Sequence, residues 1–422
     1  MEDVLGKGLA GVPVKLRGWV YRLRRIKDKV FIVLRDSTGI IQVVADKGVI
    51  EDYRGLGIEA SILVEGTIRR DERAPGGFEI AASKVTVVGP SKEFPISRDF
   101  SREFLLDVRH LWVRSTKMTA MMKLRSEVFR FIREFFHSRG FYEVQAPMFI
   151  TAAVEGGATL FEVPYFDRGK VYLTQSSQFY LEALIFSLEK VYTVAPSFRA
   201  EKSRTRRHLT EFWHVEAEEA WIHLDELLRL EEELVSYVVK SVLENCSREL
   251  KVLGRNTKPL EEVSPPFPRI SYDEAIEMLR SKGFQVSWGD DLGADEERAL
   301  TKEFSKPVFI VGFPTKCKAF YHRSNPRRPE VTLAADLLAP EGYGEIIGGG
   351  ERIFSEKELI EKIRDFGLRP EDYEWYIDLR RYGSVPHSGF GLGADRLVMW
   401  IGGLDHIMDA IPFPRTIRRT YP

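Results

Sequence analysis

Little in this sequence points to a membrane, an export route or a disulfide-built fold. Its two cysteines, Cys246 and Cys317, lie far apart and have no CxxC partner. That argues against a disulfide framework and a zinc site, and it fits a reducing compartment. No apolar run reaches membrane-spanning length, so no membrane partner is expected. The stretch from Met1 to Gly11 lacks an apolar signal core and carries acidic residues, which reads as cytoplasmic and unprocessed. A charge excess is lacking too: 62 Lys+Arg stand against 63 Asp+Glu. A nucleic-acid surface must therefore be a local patch. Also missing are a G-x-G-x-x-G after a first strand and a Walker A lysine, so any nucleotide is bound by another fold.

The 422 residues are enough for two domains. The first hundred read as all-β. Val12–Tyr21, Val30–Arg35, Ile40–Ala45, Ser61–Arg69 and Phe78–Val88 are short and β-branched, and Asp36-Ser37-Thr38-Gly39 is a hairpin turn. Five short strands in this space suggest a small barrel, for which an OB-fold is the common solution. Gly89–Asp99, with Pro90 and Pro95, reads as a hinge.

Helical spacing then appears at Leu124, Val128, Phe131, Ile132, Phe135 and Phe136, with a stop at Gly140. Downstream, Val171–Thr174, Val191–Phe198, Glu211–Ala217, Val308–Gly312, Val331–Leu338, Glu345–Ile347 and Gly389–Gly393 read as strands. Gln178–Leu188, Leu224–Asn245, Ser355–Phe366, Pro370–Tyr382 and Ala394–Ile401 read as helices, and Ser271–Lys306 as a small helical insertion after the connector Arg255–Pro268. Strands and helices mix without a crossover rhythm, so the expectation is an α+β domain on a largely antiparallel sheet.

Three stretches carry chemistry in a fixed order. They are the helix Lys123–Gly140 with a strand ending at Pro147, Phe198-Arg199-Ala200-Glu201 with a basic loop, His208 and Phe212, and Gly391-Leu392-Gly393-Ala394-Asp395-Arg396. Singly, an F-R-x-E is most often a strand end with a surface ion pair, and a Gly-rich stretch before Asp-Arg a turn and helix start. Together they resemble motifs 1, 2 and 3 of class II aminoacyl-tRNA synthetases, and behind a barrel they resemble the aspartyl/asparaginyl/lysyl subgroup. The resemblance divides the chain into an anticodon-binding OB-fold over 1–95, a hinge over 96–116 and a class II catalytic domain over 117–422.

The resemblance implies a ligase that activates an amino acid with ATP and passes it to tRNA. The substrate carboxylate attacks the α-phosphate, so the protein aligns reactants and neutralises charge, work that suits planar guanidinium groups. It gives Arg199 the α-phosphate, Arg396 the γ-phosphate, Phe212 the adenine ring and His208 a place by the phosphates. Glu201 and Gly393 join the ATP site. Asp336 and Glu345 match the acids that hold Mg2+, although the turn Pro340–Gly344 between them is longer than in aspartyl enzymes. Hard oxygen ligands bridging to phosphates suit that ion.

Asparagine is the expected amino acid. In Ser176-Ser177-Gln178-Phe179-Tyr180-Leu181, leucine stands where aspartyl enzymes carry the lysine that pairs with the aspartate side chain. A plain core position for Leu181 is the competing reading, allowed by Ser177 and Ile185 one turn away. Arg352 matches the arginine on the substrate side-chain oxygen, and Glu216 offers an acceptor to an amide nitrogen while repelling a carboxylate. Glu155, in Val-Glu-Gly-Gly-Ala, and Gln178 match the groups on the substrate ammonium.

On the barrel, Arg24, Phe31 and Gln42 match contacts to the anticodon of tRNA(Asn), although a strand phenylalanine is usually core. Arg204, Arg206 and Arg207 suggest acceptor-stem contacts. The motif 1 helix resembles the family's dimer interface, so a homodimer is expected. The alternatives are an aspartyl-tRNA synthetase, an asparagine-making relative without tRNA binding, and a non-catalytic OB-fold nucleic-acid-binding protein.

Overall fold

The computed structural model describes residues 10–97, 100–154, 159–202 and 205–422. They form two compact units, one running to Trp112 and one from Val113 to Pro422.

The first unit is a barrel built from β1 (Pro13–Ile26), β2 (Lys29–Arg35), β3 (Ile40–Asp46), β4 (Ile50–Glu51), β5 (Ser61–Arg70) and β6 (Phe78–Gly89). The order β3-β2-β1-β5-β6 closes on itself because β3 also pairs with β6. Residues alternate along each strand: Val30, Ile32 and Leu34 are fully buried with Ile41, Val43, Ile62 and Val64, while Phe31 and Val33 face outward. The Asp36 carboxylate accepts from the Thr38 and Gly39 N–H groups at 2.7 and 2.9 Å, fixing the hairpin that joins β2 to β3.

In the second unit an eight-stranded sheet runs β10-β11-β12-β13-β14-β9-β8-β7. The strands are β7 (Tyr142–Glu143), β8 (Lys190–Phe198), β9 (Glu211–Ala220), β10 (Arg269–Ser271), β11 (Val308–Val311), β12 (Ala334–Ala339), β13 (Gly344–Glu351) and β14 (His387–Gly393). The centre of this sheet is antiparallel, and its two edge pairs are parallel. The expected strand Val331–Leu338 is broken: Arg328–Thr332 pairs with Ser324–Asn325 in a separate ribbon. The expected helix Pro370–Tyr382 opens with a 3-10 turn over Pro370–Tyr373.

The motif 1 helix α1 (Thr116–Ser138) starts two turns earlier than its apolar spacing indicates, because the Ser115 hydroxyl caps it by accepting from Met118 N at 3.2 Å. It buries Leu124, Val128, Ile132 and Phe136, each contributing roughly 1.5–3 kcal/mol of apolar burial. Helix α2 (Gln178–Leu188) and helix α3 (Leu224–Asn245) occur as their periodicity predicts. The insertion supplies α4 (Tyr272–Ser281) and α5 (Ala294–Thr301), and it is bracketed by β10 and β11, so it is built onto the sheet edge. Among the described residues no helix is long and apolar enough to cross a membrane.

Candidate active site

The sheet's central strands and the insertion enclose a cavity of about 530 Å³. Arg199 leaves the end of β8, where its N–H donates to Thr210 O at 3.0 Å. Its guanidinium lies over the Phe212 ring, 5.4 Å from the centroid. Arg199, Glu201, His208, Phe212, Glu345, Gly393 and Arg396, all expected at an ATP site, line one adjoining recess. Burial, reinforced by the Arg396 and Arg207 charges, pushes the His208 imidazole down to about 4, so it is neutral at pH 7. Arg396 Nη1 donates to the Glu345 carboxylate at 2.9 Å and to its carbonyl at 3.1 Å.

Asp336 on β12 and Glu345 on β13 converge. A Cβ on Gly348 would sit 3.2 Å from Asp336 Oδ1 and 3.4 Å from Glu345 Oε1, so the glycine leaves room between two carboxylates. Burial pushes Asp336 up to about 7, against the attraction of Lys318, whose Nζ lies 2.5 and 2.6 Å from its oxygens. Burial acts the same way on Glu345, but Arg396 and Lys318 hold it down at about 2. No cluster of three possible metal ligands occurs among the described residues. Two converging carboxylates suit a magnesium ion whose remaining ligands are phosphate and water.

At the other end, Gln178 opens α2 and its Nε2 donates to Glu182 at 3.0 Å. Glu182 is fully buried and accepts from Arg380 at 2.6 Å, Tyr376 at 2.7 Å and His387 at 2.9 Å. Against the cost of burial, the Arg380 and His387 partners hold its carboxyl low. Glu216 accepts from the Ser176 hydroxyl and from Ser177 N at 2.7 Å. Its oxygens keep lone pairs for a further donor. Arg352 lines the cavity, but its Nη2 and Nε donate to Glu218 at 2.6 and 3.1 Å, leaving Nη1 outside that pair.

Leu181 is fully buried with Ile185, Val191 and Ala220, which is the core position, one of the two readings open for it. Arg207, expected at the acceptor stem, is buried against Glu297 of α5 at 2.5 Å and lines the cavity. Glu155 and Arg204 lie outside the described residues. Sequence reasoning missed Lys318, which pairs with Asp336, and Glu182, Glu218 and Glu297, acids whose arginine partners lie far away along the chain.

On the barrel, Arg24, Phe31 and Gln42 line an open hollow with Arg22, Asp71 and Arg73. Arg24 lies opposite Phe31 across β1 and β2. Gln42 Nε2 donates to Glu79 at 2.9 Å.

Residues 14–88 match the model of an OB-fold nucleic acid binding domain. An asparagine–tRNA ligase of Thermococcus kodakarensis is 55% identical over 419 residues, covering 98% of this chain and 97% of the relative. One from Thermoplasma acidophilum is 52% identical, covering 100% and 99%. The crystal structure of asparaginyl-tRNA synthetase from Pyrococcus horikoshii complexed with asparaginyl-adenylate superposes with a TM-score of 0.95 at 53% identity, covering 98% of this chain and 97% of that one. Residues 101–417, which hold all three motifs, match the model of class II tRNA synthetases (D, K and N), and the chain belongs to that family.

Proposed function

We propose that this chain is an asparagine–tRNA ligase, forming asparaginyl-adenylate from asparagine and ATP and transferring the asparaginyl group to tRNA(Asn). The observation that carries the reading is the single cavity joining a phosphate-binding set, Arg199, His208 and Arg396, to a polar recess holding Gln178, Glu216 and Arg352. Relatives named for this activity run the whole length of the chain at about half identity.

In the first step the asparagine α-carboxylate attacks the α-phosphorus of ATP and pyrophosphate leaves. Arg199 takes the α-phosphate, Arg396 swings from Glu345 to the γ-phosphate, and Phe212 stacks on adenine. Glu201 and Gly393 complete the nucleotide site. His208 lies beside the phosphates, its imidazole neutral before the nucleotide enters. Asp336 and Glu345 would hold a Mg2+ ion, which would supply positive charge against the phosphate oxygens. Glu155 and Gln178 take the substrate ammonium. Arg352 donates to the side-chain amide oxygen, and Glu216 accepts from the amide nitrogen. An aspartate carboxylate would meet Glu216 with like charge in a buried site, which discriminates against it. In the second step a terminal ribose hydroxyl of tRNA attacks the adenylate carbonyl and AMP leaves.

The 1–95 barrel reads the anticodon through Arg24, Phe31 and Gln42, and the 117–422 domain carries the chemistry, with the 96–116 hinge between them. A homodimer through the motif 1 helix and its strand, working in the cytoplasm, completes the proposal. The test is ATP–pyrophosphate exchange with asparagine and aspartate side by side. Exchange with asparagine alone supports it. Exchange with aspartate moves the chain to the aspartyl activity, and none with either removes the enzymatic reading.

A further inference from the structure

We infer that Glu297, on helix α5 of the 271–306 insertion, is a positioning residue for ATP binding. This rests on the proposed synthetase reading. One oxygen of Glu297 accepts two hydrogen bonds at once: from Arg207 Nη1 at 2.5 Å and from the backbone N–H of Glu345 at 2.6 Å. Arg207 belongs to the loop that carries His208, and Glu345 is the acid against which Arg396 rests. A single buried carboxylate thus ties the loop of motif 2 to the strand that faces motif 3.

The surrounding geometry is built for this contact. Gly344 has φ +76°, and a Cβ there would run into both Arg207 and Glu297. The same Arg207 nitrogen donates to Tyr343 O at 3.2 Å. Arg255, from the connector ahead of the insertion, grips Glu341 with two bonds of 2.8 and 2.6 Å. The long turn between the two acidic strands is therefore held from outside by the insertion and its connector. Leu292, Gly293 and Ala294, at the start of α5, line the cavity itself. Fixing the Glu345 backbone fixes both its carboxylate and the resting place of Arg396.

The test uses Glu297→Gln and Glu297→Ala in the full chain. Gln keeps an acceptor for the Glu345 N–H but removes the charge facing Arg207. ATP binding is measured by calorimetry without amino acid, alongside KM for ATP and for asparagine in pyrophosphate exchange and the thermal midpoint. ATP affinity should fall about tenfold in Gln and further in Ala, the size expected for a supporting contact behind a binding group, while the asparagine KM stays within about twofold. ATP affinity unchanged in Gln overturns the inference, as does an equal loss for both substrates with a lowered midpoint. Should Ala not fold, Gln decides alone. Absence of asparagine-dependent exchange in the unmodified protein would count against the proposed activity, while the calorimetric comparison would still test Glu297.

Discussion

Arg352, directly after β13, donates from both Nε and Nη2 to Oε1 of Glu218 on β9, and both side chains are almost wholly buried. Burial pushes the Glu218 carboxyl up even with Arg352 beside it. The pair fixes the plane of the guanidinium and so the direction of the free Nη1. Replacing Glu218 with Ala should raise the asparagine KM at least about tenfold and leave the ATP KM within about twofold. Steady-state exchange kinetics with each substrate varied separately check this. An unchanged asparagine KM would mean that Arg352 is held well enough by Tyr321, whose ring centroid lies 5.3 Å from it.

Asp395 ties the three motifs together. Its Oδ1 accepts from Arg125 of α1 at 2.5 Å and its Oδ2 from Trp213 N of β9 at 2.8 Å. Removing one partner of a buried ion pair strands the other charge, which costs about 3–5 kcal/mol. Asp395→Ala should lose that much in urea unfolding. A loss below about 1 kcal/mol would mean that Arg125 finds water or another acceptor.

The elements that could be read from sequence are those whose pattern is local. The barrel strands alternate with period two and Leu224–Asn245 buries one face, so both are found, although β1 runs on to Ile26, past the expected end at Tyr21. The first turns of α1 are less legible because Met118, Ala120 and Met121 mark its buried face less sharply than the Leu, Val and Phe positions that follow. In the site, Arg199, His208, Phe212 and Arg396 were legible because motif spacing carries them. Glu218 and Glu297 were not: Glu218 lies 134 positions from Arg352, and Glu297 lies 90 from Arg207. Among 63 acids, nothing local marks an acid whose meaning is its partner. For Leu181 the sequence left two readings open, and its packing against Ile185, Val191 and Ala220 selects the core position.

The outward face of Phe31 beside Arg24 gives a clean separation of the two activities. Base stacking on an aromatic is worth about 1–3 kcal/mol, or roughly 5- to 150-fold in affinity. Phe31→Ala should lower kcat/KM for tRNA(Asn) within that range and leave asparagine-dependent pyrophosphate exchange at its original rate. Aminoacylation and exchange assays on the same preparation check it. Because Phe31 does not belong to the barrel core, the thermal midpoint should hardly move. Unchanged aminoacylation would remove Phe31 from the anticodon contact.

His208 predicts an acid-side loss of stability with a defined window. Its imidazole is pushed from 6.5 down to about 4 by burial and by the nearby Arg396 and Arg207 charges. Between those values the unfolded chain takes up a proton that the folded chain refuses, so stability falls as pH drops from 6.5 to 4 and is unaffected by this group above 6.5. His208→Asn removes the proton uptake. Relative to the original protein, the variant should gain stability on going from about pH 7 to about pH 5, read from urea midpoints at both values. The same neutral imidazole should show no protonation shift by NMR until below about pH 5. An equal difference in midpoint at both pH values would mean that His208 takes up its proton in the folded chain as readily as in the unfolded one.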